Sequence, residues 1–333
     1  MKKKKFKIGN LEISEDKPTF IIAEIGINHE GNYKKCLELI NNAKLAGANG
    51  IKLQLAKPEY NYNRNSKSFK IYKKSEFSLN QIKKIYEYAK KKKIILFSTM
   101  DYYYFKKIKF KQKIYKISSS QFNDLSLIKD ILKLNKPVLI STGMSNTNEV
   151  TTLSKFLKKE TKVIFMHCIS KYPLKNIECN LMMIDYLKKL TKGIVGYSDH
   201  TVGTIACETA SILGAKVIEK HFTYNSNRKG FDHKISLDYK NFKRMVQNIR
   251  NLESLLGKKS YNNSIKNIRK ITKQKRSYFL NCDLKKNDKL KINHIYTKRI
   301  GKSENVKNLL SLLGKKVKNN TKKNTEINKK ILA

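Results

Sequence analysis

The sequence predicts an α/β fold, a closed parallel (β/α)8 barrel of the TIM type followed by a small, mostly β domain. Short β-rich apolar runs alternate with longer amphipathic stretches in eight successive units. Polar residues with chemical capability recur where those short runs end. A Lys/Asn-rich stretch then separates the last unit from a remainder of short strands and turns.

The strand expectations, in order, are 20–24, 50–54, 94–98, 113–117, 137–141, 162–167, 193–197 and 216–220. Between them lie helix signals. Ser78 with Gln81 forms a capping box ahead of Ile82, Ile85, Tyr86 and Ala89, whose spacing makes one apolar helical face. Asn146 with Glu149 does the same ahead of Val150, Leu153 and Phe156. Eight βα units favour a closed barrel over an open, doubly wound sheet, which usually has fewer strands. A helix over 238–256 ends the barrel domain, 1–257, and 258–272 reads as a linker. The domain 273–333 is expected to hold strands at 277–280, 289–292 and 295–297 and a helix at 306–313. At about sixty residues such a module folds only marginally alone, so it is expected to dock on the barrel or on a second subunit.

Composition limits the function classes. A chain of 333 residues, 40% apolar, can bury a full core. Five cysteines, odd in number and without CxxC spacing, argue against a disulfide framework and a thiolate zinc site, and fit a reducing compartment. The basic start, Met1 to Lys5, is followed by no apolar stretch of the kind a signal peptide needs, and no run of about 18 apolar residues could span a membrane. A cytoplasmic protein is expected. The net charge of +46 raises a nucleic-acid reading, but the lysines are scattered over nearly every expected helix, as solvated faces are. Duplex DNA binding that survives high salt would restore that reading. A positive field still concentrates anionic metabolites.

The chemistry centres on two segments, Tyr197-Ser198-Asp199-His200-Thr201 and Glu219-Lys220-His221-Phe222, each closing an expected strand. A period of two puts Ser198 with His200, and Glu219 with His221, on one face. Two imidazoles at adjacent strand ends are half of a site for Mn, Fe, Zn or Co. Glu219 is either a third ligand or a partner that orients one. Asp232 is a further oxygen donor or a turn former. Five of the six histidines (His29, His167, His200, His221, His233) fall in or just after strand ends.

Lys52 and Lys116 lie within strands, where an inward lysine must meet an anion or snorkel away. With Ser119, Ser141, Thr142 and Ser198 they form a plausible cradle for a carboxylate and a phosphate. Glu24 is a general acid or base, or else the salt-bridge partner of Lys52. Lysines on strands, Lys220 included, also admit a Schiff-base aldolase, which borohydride trapping with pyruvate would reveal.

The chain resembles the sialic acid synthases, phosphoenolpyruvate-dependent enzymes that make N-acetylneuraminate and related nonulosonates. The matching segments include Ile21-Ile22-Ala23-Glu24-Ile25-Gly26-Ile27-Asn28-His29, Gly50-Ile51-Lys52-Leu53-Gln54, Lys116-Ile117-Ser118-Ser119, Ser141-Thr142-Gly143-Met144, His167-Cys168-Ile169-Ser170-Lys171-Tyr172-Pro173 and the two histidine segments. They occur in family order across the barrel, and the last sixty residues resemble the antifreeze-like (SAF, β-clip) domain of these enzymes.

The resemblance implies a divalent metal on His200 and His221, Mn2+ foremost with Mg2+ or Co2+ as alternatives, holding the open-chain aldehyde of an N-acetylmannosamine-like sugar. C3 of phosphoenolpyruvate then attacks that aldehyde, water adds at C2, and phosphate leaves with C–O cleavage. Lys52, Thr99 and Lys116 would meet the carboxylate of phosphoenolpyruvate; Ser119, Ser141, Ser170 and Ser198 would meet its phosphate. Glu24 and Glu219 would serve the sugar hydroxyls and proton transfers, with Tyr172 and Asp232 nearby. The resemblance further implies a domain-swapped homodimer in which Arg299 contacts the N-acetyl group, with neither nucleic acid nor membrane as partner. A diacetamido-trideoxyhexose in the same site would give a legionaminate- or pseudaminate-type product. Ile300 stands where the family usually has proline, Asp124 where it has asparagine, and Phe231 where it has proline.

Overall fold

The computed structural model describes residues 5–109, 112–160, 162–257, 276–300 and 306–333. The expected linker, 258–272, lies outside the described residues. Residues 1–256 and 257–333 form two compact units.

The first unit opens with a hairpin, β1 (Phe6–Ile8) and β2 (Leu11–Ile13), paired antiparallel through Phe6 with Ile13 and Ile8 with Leu11. The barrel begins with β3 (Phe20–Gly26), α1 (Tyr33–Leu45) and β4 (Gly50–Leu55). Three helices follow, α2 (Pro58–Asn61), α3 (Lys67–Ser75) and α4 (Leu79–Lys91). Next come β5 (Leu96–Met100), α5 (Tyr102–Ile108), β6 (Tyr115–Ile117), α6 (Leu125–Leu132), β7 (Val138–Ser141) and α7 (Thr147–Phe156). The remaining units are β8 (Val163–Cys168), α8 (Met183–Thr191), β9 (Val195–Asp199), α9 (Ile205–Ile212), β10 (Val217–His221) and α10 (Tyr239–Leu256). Strands β3 to β10 pair in parallel and in sequence, and β10 returns to β3, closing the expected TIM barrel.

Local chemistry accounts for several of these elements. Both capping boxes form: the Ser78 side chain accepts from Gln81 N at the start of α4, and Asn146 accepts from Glu149 N at the start of α7. The apolar face of α4, Ile82, Ile85, Tyr86 and Ala89, is buried against the sheet. Asp124 caps α6 by accepting from Leu127 N, a role asparagine performs equally well, so the departure at that position is structurally silent.

Strand alternation sorts the barrel into two apolar layers. Ile21, Ala23 and Ile25 face the helices, and Phe20 and Ile22 face the interior, where Phe97, Leu139, Ile164 and Val217 join them. These interior residues lie near the strand starts, and Phe6, Ile8 and Ile13 of the hairpin pack onto them. The hairpin is therefore the floor of the barrel. Above the floor the inward positions turn polar, and that change creates the site.

In the second unit, β11 (Ser277–Leu280) pairs antiparallel with β12 (Ile295–Lys298), and the helix α11 (Val306–Leu312) follows. Its own core comprises Leu280, Leu284, Leu290, Leu309, Leu312, Val317, Ile327 and Leu332. The expected strand at 289–292 is not one: Lys289 makes an isolated bridge to Lys316, and Ile292–His294 is a 3-10 turn. Alternation of Lys and apolar residues imitates a strand there, but among the described residues no second strand lies alongside to continue the ladder. Arg299 is exposed on this unit.

Candidate active site

The inward residues above the floor converge on a cavity of about 450 Å3 at the C-terminal end of the strands. Lys52, from β4, and Lys116, from β6, both reach one oxygen of Glu219 on β10: Lys52 Nζ lies 2.8 Å and Lys116 Nζ 3.0 Å from Glu219 Oε1. Ser198 Oγ on β9 donates to that same oxygen at 2.9 Å. The other oxygen, Oε2, is buried with no hydrogen-bond partner. Lys52 Nζ also stands 2.6 Å from Glu24 Oε2 on β3, though not aligned as a hydrogen bond, and both Glu24 oxygens lack hydrogen-bond partners.

Two ammonium groups and two carboxylates, all at most 4% exposed, thus form one charged cluster. Burial acts to raise the Glu219 carboxyl, but Lys116 and Lys52 overcome it and hold that group well below the usual carboxylate range. Burial pushes Lys52 down to about 7, and the neighbouring Lys116 ammonium, which shares Glu219 Oε1 with it, offsets part of what that carboxylate restores.

Beside this cluster lies a ring of small donors. Ser119, Ser141, Cys168 and Ser170 line the cavity, and the Ser141 hydroxyl has no partner. Ser119 Oγ accepts from Gly143 N at 3.0 Å. A Cβ at Gly143 would fall 2.6 Å from Ser170 Oγ, 2.7 Å from Cys168 Sγ and 2.8 Å from Ser119 Oγ. Glycine is what allows these groups to converge. Hydroxyls and a backbone amide around an open space, near two ammonium groups, suit a phosphate or carboxylate.

The histidine pair sits at the same mouth. The rings of His200 and His221 are 5.6 Å apart between centroids, and Tyr172 covers His200 at 4.1 Å. His200 Nδ1 lies 2.7 Å from the Ile169 carbonyl, which fixes it as the donor and leaves the Nε2 lone pair free. His221 Nδ1 is buried without a hydrogen bond and lies 3.6 Å from Asp232 Oδ2. Burial, then the neighbouring His200 and Lys52, lower His221 well below the ordinary histidine value, so it stands as neutral imidazole, the form that binds metals. Among the described residues no group of three or more His, Cys, Asp and Glu could hold a metal ion. The donor set fits a divalent ion held by two imidazoles, with its remaining positions open to water and substrate oxygen.

The site thus brings together Lys52, Thr99, Lys116, Ser119, Ser141, Ser170, Tyr172, Ser198, His200, Glu219, His221 and Asp232, all on the cavity wall. Glu24 is fully buried and absent from that wall; its position matches the ion-pair alternative with Lys52.

Three of the five clustered histidines serve structure instead. His29 stacks on Phe77 at 4.3 Å and burial lowers it to about 3; His167 Nε2 meets the Cys179 carbonyl; His233 bridges Thr223 and Glu30. Lys220 points to the helix side and binds Asp199. The sequence reading missed Tyr72, whose hydroxyl donates to Gln54 Oε1 at 2.7 Å on the cavity wall. It lies on α3, outside the strand-end pattern, and no local motif marks it.

A parallel barrel with ionisable side chains converging at its C-terminal mouth has the build of a barrel enzyme. The NeuB family model matches residues 39–261, and the chain belongs to that family. It is 32% identical to pseudaminic acid synthase of Campylobacter jejuni, over 95% of this chain and 96% of that protein. It is 33% identical to N,N'-diacetyllegionaminic acid synthase of the same species, over 85% and 91%. Among solved structures, N-acetylneuraminic acid synthetase of Leptospira borgpetersenii superposes with a TM-score of 0.74 at 30% identity, covering 80% of this chain and 96% of that one.

Proposed function

We propose that this NeuB-family protein condenses phosphoenolpyruvate with the open-chain aldehyde of an N-acetylated amino sugar, giving a nonulosonate and inorganic phosphate. The observation that supports it best is the juxtaposition of a two-lysine cluster and hydroxyl cradle with two imidazoles in one cavity. A phosphorylated acid needs the first and a polarised aldehyde the second.

In this reading Lys52, Lys116 and Thr99 hold the carboxylate of phosphoenolpyruvate, and Ser119, Ser141, Ser170 and Ser198 hold its phosphate. A divalent ion on His200 and His221, Mn2+ foremost, supplies Lewis-acid polarisation of the aldehyde when bound. The bond forms between C3 and the aldehyde carbon, water adds at C2, and the C2–O bond to phosphate breaks. The water oxygen becomes the C2 carbonyl, one of its protons passing to the aldehyde oxygen and the other leaving with the phosphate; Glu219, on the cavity wall with an unpartnered Oε2, is the proposed carrier. Tyr172 and Asp232 flank the sugar side.

Two sugars have specific support. N-acetylmannosamine, giving N-acetylneuraminate, rests on the likeness to the Leptospira protein; a diacetamido-trideoxyhexose rests on the two Campylobacter synthases. Incubation with phosphoenolpyruvate, Mn2+ and each sugar, followed by product mass, decides between them. A pyruvate adduct trapped by borohydride, with EDTA-insensitive activity, would overturn the whole reading. Among the described residues no helix is long and apolar enough to cross a membrane. For the metabolic setting we keep the cytoplasm, and for assembly a homodimer in which Arg299 reaches the sugar's N-acetyl group.

A further inference from the structure

Behind the histidine pair, on the helix side of the barrel, lies a second charged group that the proposed reaction does not use. Lys220 and Asp199 face each other in the register of β10 and β9, and both side chains are fully buried. The Lys220 ammonium lies 2.6 Å from Asp199 Oδ2 and donates to the Thr201 carbonyl at 2.5 Å. One ammonium therefore binds the residue before His200 and the residue after it.

The carboxylate tightens the same turn. Asp199 Oδ1 accepts from Thr201 N at 3.0 Å and from the Tyr197 hydroxyl at 2.9 Å, while Oδ2 accepts from Thr201 Oγ1 at 3.0 Å. Cys207 Sγ on α9 donates to Oδ2 at 3.5 Å. His221 follows Lys220 directly, so both histidines are attached in sequence to the two ends of this ion pair. Period-two alternation places the pair on one side of the sheet and both imidazoles on the other.

A buried ion pair is weak evidence of stabilisation, since well-packed apolar residues often do as well or better. What this pair has that an apolar pair lacks is direction. Its hydrogen bonds fix the backbone on both sides of His200 and lock that segment to the residue preceding His221. We infer that Asp199 and Lys220 are positioning residues that set the spacing of the His200 and His221 imidazoles for a shared divalent cation. This rests on the metal-binding part of the proposed function.

The test measures metal directly: Mn2+ alone is titrated into the full chain and free Mn2+ is read by electron paramagnetic resonance, with circular dichroism as a check on folding. Lys220→Met and Asp199→Asn are expected to weaken Mn2+ binding at least tenfold, the range seen when groups that orient metal ligands are removed. The KM for phosphoenolpyruvate, whose proposed contacts apart from Ser198 on β9 come from other strands and loops, is expected to stay within threefold in Lys220→Met. Unchanged Mn2+ affinity in a folded Lys220→Met overturns the inference, as does an equal loss in both readouts. If neither variant folds, Tyr197→Phe decides, because it removes one donor to Asp199 with little change in volume. A loss of about threefold in Mn2+ affinity supports the positioning role, and unchanged affinity overturns it. Failure of the unmodified chain to bind Mn2+ overturns the proposed metal site itself, a result separable from failure in the variants alone.

Discussion

Lys52 Nζ and Glu219 Oε1 meet at 2.8 Å inside the barrel, and Lys116 shares the same oxygen. One carboxylate thus compensates two buried ammonium groups, with Glu24 on the far side of Lys52. Removing Glu219 takes from Lys116 its carboxylate partner and leaves Lys52 with Glu24 alone. Glu219→Ala is expected to destabilise the barrel by about 3 to 5 kcal/mol, the usual cost of breaking a buried pair, and to abolish product formation. Urea denaturation measures the first; a variant as stable as the parent would show that the cluster is hydrated rather than paired.

Stability should also carry the signature of Lys52 in its pH dependence. Burial depresses this group to about 7 from the ordinary lysine value of 10.5. Between those values the unfolded chain holds a proton that the folded chain has released, so stability rises with pH over that window, by up to about 1.4 kcal/mol per unit. Lys52→Met should flatten the rise between pH 7 and pH 9 in denaturant titrations. Glu219 works at the acid end: its depressed carboxyl contributes stability that is complete above about 4.5 and is lost as pH falls.

Gly143→Ala tests the hydroxyl cradle without touching a charge. The new methyl would lie under 3.0 Å from Ser119, Cys168 and Ser170. The KM for phosphoenolpyruvate should rise at least tenfold while the KM for the sugar changes little. A parallel rise in both constants would place the cradle outside the phosphate site.

His200→Ala and His221→Ala should each abolish activity in a folded protein, and EDTA should do the same to the unmodified chain, with Mn2+ restoring it. Full activity in either variant would remove the metal from the mechanism.

Deleting the segment before Ser14 exposes the floor. Phe6, Ile8 and Ile13 are at most 1% exposed, and at about 1.5 to 3 kcal/mol per buried side chain their loss should cost on the order of 5 kcal/mol. Thermal unfolding of the shortened chain gives the answer; an unchanged midpoint would mean the floor seals itself.

The barrel was legible because its signals are redundant: eight β-rich runs, two capping boxes and a polar residue near each strand end all agree. The inward set was readable for the same reason, since period-two alternation aligns Lys52, Lys116, Ser198 and Glu219 with the histidines. His167 lies one residue out of phase with Cys168, and its outward side chain meets the Cys179 carbonyl. Residues at strand ends that hold loops look, in one dimension, like residues that hold substrate. The hairpin escaped notice because its strands have three residues each, too few to show a period among so many lysines. Tyr72 reaches the cavity only through tertiary packing, which no local pattern encodes.

The hairpin floor closes the barrel at the strand starts, and the cavity lies at the opposite end. Glu219 lies two residues nearer the floor than His221 on the same strand, so a reactant seated against the lysines lies beneath one seated against the histidines. Under the proposed function, traffic would be last in, first out: the phosphorylated acid would have to arrive before the sugar closes the way above it, and whatever remains below would wait for the upper occupant to depart.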